Sequence, residues 1–199
     1  MLMSETKKVR VNHRKNFTFK KISNDECIIE KYTGNESEVI IPSTNQGMKV
    51  VAIGESAFAG NKSIESVGFS KSNIKVIGAK AFEGCINLKS IKFPSSLQEI
   101  GNAAFKESGI EHVVIKYHVK SVGDDCFAYC NNLGTANFDG FRGTIGDRCF
   151  FMCMNLHQVS KLGLLIERIG HNAFSVGRRI PNDPLWDVTW YNRRIRLII

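Results

Sequence analysis

The sequence lacks any long hydrophobic run and contains only four prolines and two tryptophans among its 199 residues. Its longest apolar stretches, such as residues 162–166, fall far short of the roughly 20 residues of a membrane helix, so the chain is not expected to span a membrane. Few prolines, with 43% hydrophobic and 23% charged residues, exclude the collagen-like and disordered classes. These absences predict a globular chain with a sizeable core.

Two further absences bear on location and function. Residues 1–21 contain no uncharged apolar segment of about seven to fifteen residues, so the sequence alone predicts no secretory signal and a cytoplasmic protein. The chain also lacks the nucleophile-elbow, phosphate-loop and dinucleotide-binding motifs, and its five histidines show no metal-ligand spacing. We therefore predict no enzyme, no catalytic residue, no cofactor and no metal site.

The net positive charge of the chain comes from its two ends. The formal net charge is +8, of which residues 1–21 carry +6 and residues 178–199 carry +3, which leaves a nearly neutral middle. Binding to phosphates or anionic lipids would therefore have to come from the ends. Nucleic acid is accordingly an unlikely partner for the body of the protein.

A motif of the form Ile/Val-Gly-x-x-Ala/Cys-Phe recurs six times at steps of 22 to 24 residues. This period lies within the roughly 20 to 29 residues of leucine-rich repeats. We call the six units coils one to six, counted from their first two residues: Ile53-Gly54, Ile77-Gly78, Ile100-Gly101, Val122-Gly123, Ile145-Gly146 and Ile169-Gly170. The repeat predicts a solenoid rather than a chain with separate packed domains.

Each coil carries a second apolar pattern with period two, such as Leu88-x-x-Ile91-x-Phe93, which predicts a short parallel strand with one inward face. We expect the glycine to form a corner by adopting a positive φ. A tight helical or irregular turn then carries the phenylalanine. Stacking predicts an aromatic spine of Phe58, Phe82, Phe105, Phe127, Phe150 and Phe174, and a second buried row of Phe69, Phe93, Ile115 and Phe138.

Residues 77–94 and 122–133, together with the initial segment 32–42, resemble the BspA-like leucine-rich repeat family. The resemblance covers about residues 27–177. It implies a curved right-handed solenoid without catalytic residues. Members of the family are often surface proteins of bacteria and parasitic protists that bind host matrix proteins or other cells. By this resemblance the chain would be secreted or displayed at the cell surface.

Four of the six cysteines form two Cys-x-x-x-Cys pairs, Cys126 with Cys130 and Cys149 with Cys153. The pairs are one repeat apart, and Cys85 shares the register of Cys130, where other coils have Asn61 or Ser108. The repeat therefore favours a ladder of reduced, buried thiols. Disulfides between adjacent coils and a metal site remain weaker alternatives.

The outward positions of the main strands are predicted to form a broad polar face of mixed charge, suited to a protein partner. The candidate partner-binding residues on this face are Glu65, Ser66, Lys89, Lys92, Glu111, His112, Lys116, Asn137 and His157.

The C-terminal tail matches no repeat and is rich in aromatic and basic residues. Its candidate contacts are Trp186, Trp190, Tyr191, Arg193 and Arg194, which would cover the open end of the core, dock a partner, or form a dimer by edge pairing. The predicted division is a basic N-terminal segment and cap (1–26), the repeat solenoid (27–177) and a C-terminal cap or tail (178–199).

Residues and resemblance together predict a non-catalytic protein–protein recognition module of the adhesion or host-interaction type. One alternative is an intracellular leucine-rich repeat scaffold. Another is an anion binder that contacts nucleic acid or lipid headgroups through its basic ends. The sequence does not determine the oligomeric state.

Overall fold

A computed structural model describes residues 14–69, 71–163 and 166–175, and in this part of the chain almost all regular structure is β-strand. A 3-10 turn at Arg14–Asn16 leads into β1 (Phe17–Lys21), which pairs antiparallel with β2 (Glu26–Tyr32). The segment before coil one then contributes β3 (Glu38–Ile41), and β4 (Thr44–Asn45) forms a small antiparallel pair with β5 (Met48–Ile53). Only these first strands depart from parallel pairing among the described residues.

The later coils add strands to two sides of the solenoid. One side continues the sheet of β1, β2 and β5 with one two-residue strand per coil: β7 (Val76–Ile77), β9 (Glu99–Ile100), β11 (Ser121–Val122), β13 (Thr144–Ile145) and β15 (Arg168–Ile169). The other side has two three-stranded parallel sheets: β3 with β6 (Ser66–Phe69) and β8 (Ser90–Ile91), then β10 (His112–Lys116) with β12 (Thr135–Asp139) and β14 (Gln158–Ser160). The predicted solenoid of about six coils is confirmed.

The second side is split between β8 and β10, where coil three begins its strand one residue early. Coil three has one residue fewer than the others between its phenylalanine, Phe105, and its first strand-side apolar residue, Ile110. Pro94, which follows Phe93, also has no backbone N–H to donate to a ladder. The coils nevertheless stay in register, because the Glu111 N–H donates to the Lys89 carbonyl at 3.1 Å.

The aromatic spine is confirmed. Rings of consecutive coils stack with centroids 4.7 to 5.2 Å apart and interplanar angles of 3° to 15°. Tyr32 extends the spine beyond Phe58 with centroids 5.0 Å apart, and Phe17 of β1 packs against both rings, so the first hairpin covers this end of the core. The second row is only partly as predicted, because Ile115 and Phe138 are fully buried whereas Phe69 and Phe93 are half-buried.

The predicted positive φ of the motif glycines is wrong. A Cβ atom built on any of the six would lie only 2.4 to 2.8 Å from an atom of the preceding coil, and none of the six has a positive φ. Glycine is needed because adjacent coils approach each other closely there. The left-handed residue comes two positions later and is never glycine, with φ between 52° and 56° at Ser56, Lys80, Ala103, Asp125, Arg148 and Asn172.

Hydrogen bonds between coils compensate for this backbone strain. The N–H of a left-handed residue donates to a carbonyl of the next coil, as from Lys80 to Asn102 at 2.9 Å and from Ala103 to Asp124 at 2.8 Å. A left-handed conformation costs a non-glycine residue roughly 1–2 kcal/mol. Each coil therefore holds its turn only while its neighbour is in place, which makes the stack cooperative.

Replacing Phe105→Ala tests the spine. Phe105 is fully buried between the rings of Phe82 and Phe127, so we expect the free energy of unfolding to fall by about 3–5 kcal/mol, measured by urea denaturation. Tyr117→Ala is the control, because 73% of Tyr117 is exposed and its loss should change stability by no more than about 0.5 kcal/mol. Equal effects of the two changes would contradict the spine as the main source of stability.

Replacing Gly101→Ala tests the close approach of the coils. A Cβ there would lie 2.6 Å from the Ala79 backbone nitrogen, so we expect a loss of about 1–3 kcal/mol or more in urea denaturation. The matched control is Gly163→Ala, because nothing lies within 4 Å of a Cβ at Gly163 and its φ is not positive. If Gly101→Ala is as stable as Gly163→Ala, the contact is not what requires glycine.

Candidate functional site

The candidate site is the outward surface of the split side of the solenoid, which we call the strand face. Alternation in β10 buries Val113 and Ile115 and exposes His112, Val114 and Lys116. The same alternation in the other strands brings one set of side chains per coil to this surface. The strand face comprises the outward residues of β3, β6, β8, β10, β12 and β14 with the residues that flank them.

The structure brings the nine predicted face residues onto this surface. Glu65, Lys89, Lys92, Glu111, His112, Lys116 and His157 are exposed, and Ser66 and Asn137 are half-buried. Backbone hydrogen bonds between successive coils align equivalent residues in rows along the face. The Lys89 N–H donates to the Glu65 carbonyl at 2.9 Å, and the Glu111 N–H donates to the Lys89 carbonyl at 3.1 Å. That these side chains contact a partner remains a prediction.

Charges on the strand face pair along the solenoid axis. The Lys161 ammonium donates to the Asp139 carboxylate at 2.9 Å, and this hydrogen bond and the positive charge lower the pKa of Asp139. Lys89 and Glu65 are 3.8 Å apart, and the His112 ring hydrogen-bonds the Thr135 hydroxyl at 3.0 Å. Within the described residues Lys92 and Glu111 have no ion pair, so these charges are available to another molecule, whereas Lys116 lies opposite Asp139 in the ladder of β10 and β12 and also lowers its pKa.

Sequence reasoning missed part of this surface. Two large apolar side chains are exposed on it: Val114 by 43%, at an outward position that the strand pattern predicts, and Tyr117 by 73%, which the pattern does not reach. Tyr117 comes directly after the last residue of β10. The alternation that predicts outward residues ends with the strand, so it gave no indication of Tyr117. The contribution of β3 was also missed, although Glu38 and Ile40 line a groove of about 620 Å³ with Gly68 and Lys92. The run of β-branched residues Val39-Ile40-Ile41, followed by Pro42, was the available signal.

The cysteines lie inside the solenoid as the repeat predicted. All six are buried and unbridged, and the thiols of Cys85, Cys130 and Cys153 donate to the carbonyls of Phe58, Phe105 and Phe127 at 3.0 to 3.1 Å. In the described part of the chain, no three His, Cys, Asp or Glu side chains converge as metal ligands. Burial raises the pKa of Cys85 and of Cys130 to about 11.

The predicted tail contacts Trp186, Trp190, Tyr191, Arg193 and Arg194 lie outside the described residues. Among the residues that are described, no helix has the length and apolar character needed to cross a membrane.

We expect the buried thiols to be inert in the native protein and to make stability pH-dependent. An unfolded thiol ionises near pH 9 and the folded Cys85 and Cys130 near 11, so the unfolded state loses its protons first and stability falls as pH rises between these values. A Cys85→Ala/Cys130→Ala variant should lose less stability over this range, measured by urea denaturation at a series of pH values. An identical pH dependence, or rapid labelling of the native protein by Ellman's reagent, would contradict this expectation.

Comparison with solved structures finds similar solenoids in bacteria. A leucine-rich repeat protein of T. pallidum, TpLRR, is 25% identical, with a TM-score of 0.72 over 92% of this chain and 94% of that one. A leucine-rich cell surface protein of Faecalibacterium prausnitzii is 27% identical, with a TM-score of 0.62 over 81% of this chain and 50% of that one. The pneumococcal vaccine antigen PcpA is 19% identical with a TM-score of 0.65, covers 83% of this chain and 47% of that one, and shows the fold alone.

No curated protein matches the sequence significantly. The chain spans nearly the whole length of the T. pallidum protein but only about half the length of the other two. Residues 51–179 match the BspA-type leucine-rich repeat region in six copies, which is well over half of the chain. With the period, the stacked phenylalanines and the sheets of parallel strands, this match shows that the chain belongs to the BspA-type leucine-rich repeat family.

Proposed function

We propose that the chain is a non-catalytic recognition module that binds a protein partner through its strand face, in adhesion or host interaction. The observation that carries this proposal is the regular row of exposed side chains that β6, β8, β10, β12 and β14 present on one surface. Backbone ladders fix the spacing of these side chains, so little conformational entropy is lost in presenting them to a partner. A rigid, extended surface of this kind suits a protein better than a small molecule.

The charges on the strand face favour a protein over a polyanion. The described face mixes both signs, with Glu65 and Glu111 beside Lys89, Lys92 and Lys116. Phosphate-binding surfaces instead cluster Lys and Arg on one face. A mixed surface discriminates between partners because a wrong charge placed against it is repelled.

The adhesion part of the proposal is supported by the similarity to the cell surface protein of F. prausnitzii. Because this chain spans only half the length of that protein, surface display is carried over as a proposal. A specific observation favours a second candidate, an intracellular scaffold. The six cysteines are buried and unbridged, whereas small domains in oxidising compartments often use their cysteines in disulfides.

Position-specific crosslinking tests the recognition face. Because the native thiols are buried, a cysteine introduced at Lys89→Cys on the strand face can be labelled selectively with a photo-crosslinker. Lys62→Cys, at an exposed position outside the predicted face residues, is the matched control. We expect irradiation with intact cells or extracted matrix to give a discrete protein adduct from Lys89→Cys and none from Lys62→Cys. Equal adducts from both positions, or none from either, would contradict the strand face as the binding surface.

The cellular side of the proposal is tested by treating intact native cells with a non-permeant protease and following the chain by immunoblot. Cleavage on intact cells is expected for an adhesin. Protection until lysis would contradict surface display and favour the intracellular scaffold. A cytosolic protein on the same blot controls for leakage.

A further inference from the structure

We propose that Val114 and Tyr117, flanked by Lys92 and Lys116, form an anchor patch for an acidic segment of a protein partner that carries a projecting apolar side chain. Because this anchor patch lies on the strand face, the inference rests on the proposed function and specifies the partner's chemistry. The patch combines exposed apolar area with positive charge, two features that no other coil of the described strand face brings together.

Val114 occupies an outward position at which the neighbouring coils have a polar or very small residue. The Glu111 to Lys89 hydrogen bond places Val114 beside Lys92 of the preceding coil, and β10 pairs it with Asn137 of the following coil. The two neighbours leave 43% of Val114 exposed. An isolated valine of this kind is ordinary on a protein surface, but here the same coil exposes a much larger apolar neighbour three residues along the chain.

Tyr117 is that neighbour, about 10 Å along the chain from Val114. The edge of its ring packs against His118, with centroids 5.3 Å apart and planes at 83°. Gly140 of the next coil leaves room at its base, because a Cβ there would lie 3.3 Å from the Tyr117 Cβ. The ring contacts His118 while 73% of the residue stays exposed, and tyrosine is among the residue types that most often anchor interfaces.

The surrounding charge determines what the patch can bind. Lys92 has no ion pair among the described residues. Lys116 lies opposite Asp139 in the ladder of β10 and β12, but the Asp139 carboxylate already accepts a hydrogen bond from Lys161 at 2.9 Å. Two ammonium groups beside an apolar surface attract carboxylates and repel basic segments. A polyanion is disfavoured, because Glu111 lies on the same strand-face row as Lys89 and Glu65.

Peptide selection tests the anchor patch. A random peptide library displayed on phage is selected against the full chain, and the enriched peptides are synthesised for fluorescence anisotropy. We expect them to carry Asp or Glu on either side of an aromatic or aliphatic residue. Tyr117→Ser and Val114→Ser should each weaken binding by about tenfold or more, as truncation of an anchor does. When the same library is selected for binding to the Lys92→Glu/Lys116→Glu double variant, we expect basic peptides instead.

The control is Tyr129→Ser, which removes an exposed tyrosine from the turn that carries Phe127 and should leave the affinities unchanged. Enriched peptides without excess acidic residues, or affinities unaffected by Tyr117→Ser, would overturn the anchor patch. If binding responds to Glu65→Lys or His157→Ala but not to Tyr117→Ser, the recognition face stands and the anchor patch fails. Absence of any enriched peptide would count against both. Self-association abolished by Tyr117→Ser would identify a second copy as the occupant and overturn the acidic partner.

Discussion

The structure depends on one spacing, the distance between hydrogen-bonded parallel strands. Neighbouring strands lie about 4.8 Å apart, and the rings of the aromatic spine stack at 4.7 to 5.2 Å, so backbone and side chains repeat at the same interval. Because the intervals agree, each coil can satisfy its backbone groups and its core contacts in the same position. Any residue that keeps coils further apart loses both kinds of interaction at once.

This constraint explains residues that would otherwise look unrelated. The motif glycines allow the backbones to approach, and the thiols of Cys85, Cys130 and Cys153 are small enough to lie between coils while donating to a phenylalanine carbonyl of the preceding coil. Left-handed turn residues such as Lys80 and Ala103 give their N–H groups to the next coil. No single coil satisfies its own turn, so stability is shared between neighbours and the first coil needs the β1–β2 hairpin to cover it.

The same repetition makes a recognition surface and then varies it. Coils one to five send equivalent side chains to the strand face at a fixed spacing, and the sequence decides what each position carries. At the outward position where coil one has Gly68 and coil two has Lys92, coil three has Val114. Coil three is also one residue shorter in its turn, and the ladder is interrupted between β8 and β10. The exposed apolar residues of the strand face thus lie beside the main irregularity of the solenoid.

The period, the spine, the buried cysteine register and the outward residues of the strand face could all be predicted from the sequence, because each follows from a local pattern that repeats. The reason for the motif glycine could not be predicted: the sequence suggested a positive φ, whereas the preceding coil excludes a side chain at Gly101. The sequence also did not indicate that Tyr117 stays exposed against His118 or that Glu38 and Ile40 line a groove with Lys92. These features arise between residues of different coils or beyond the end of an alternating strand, so they exist only once the coils are stacked.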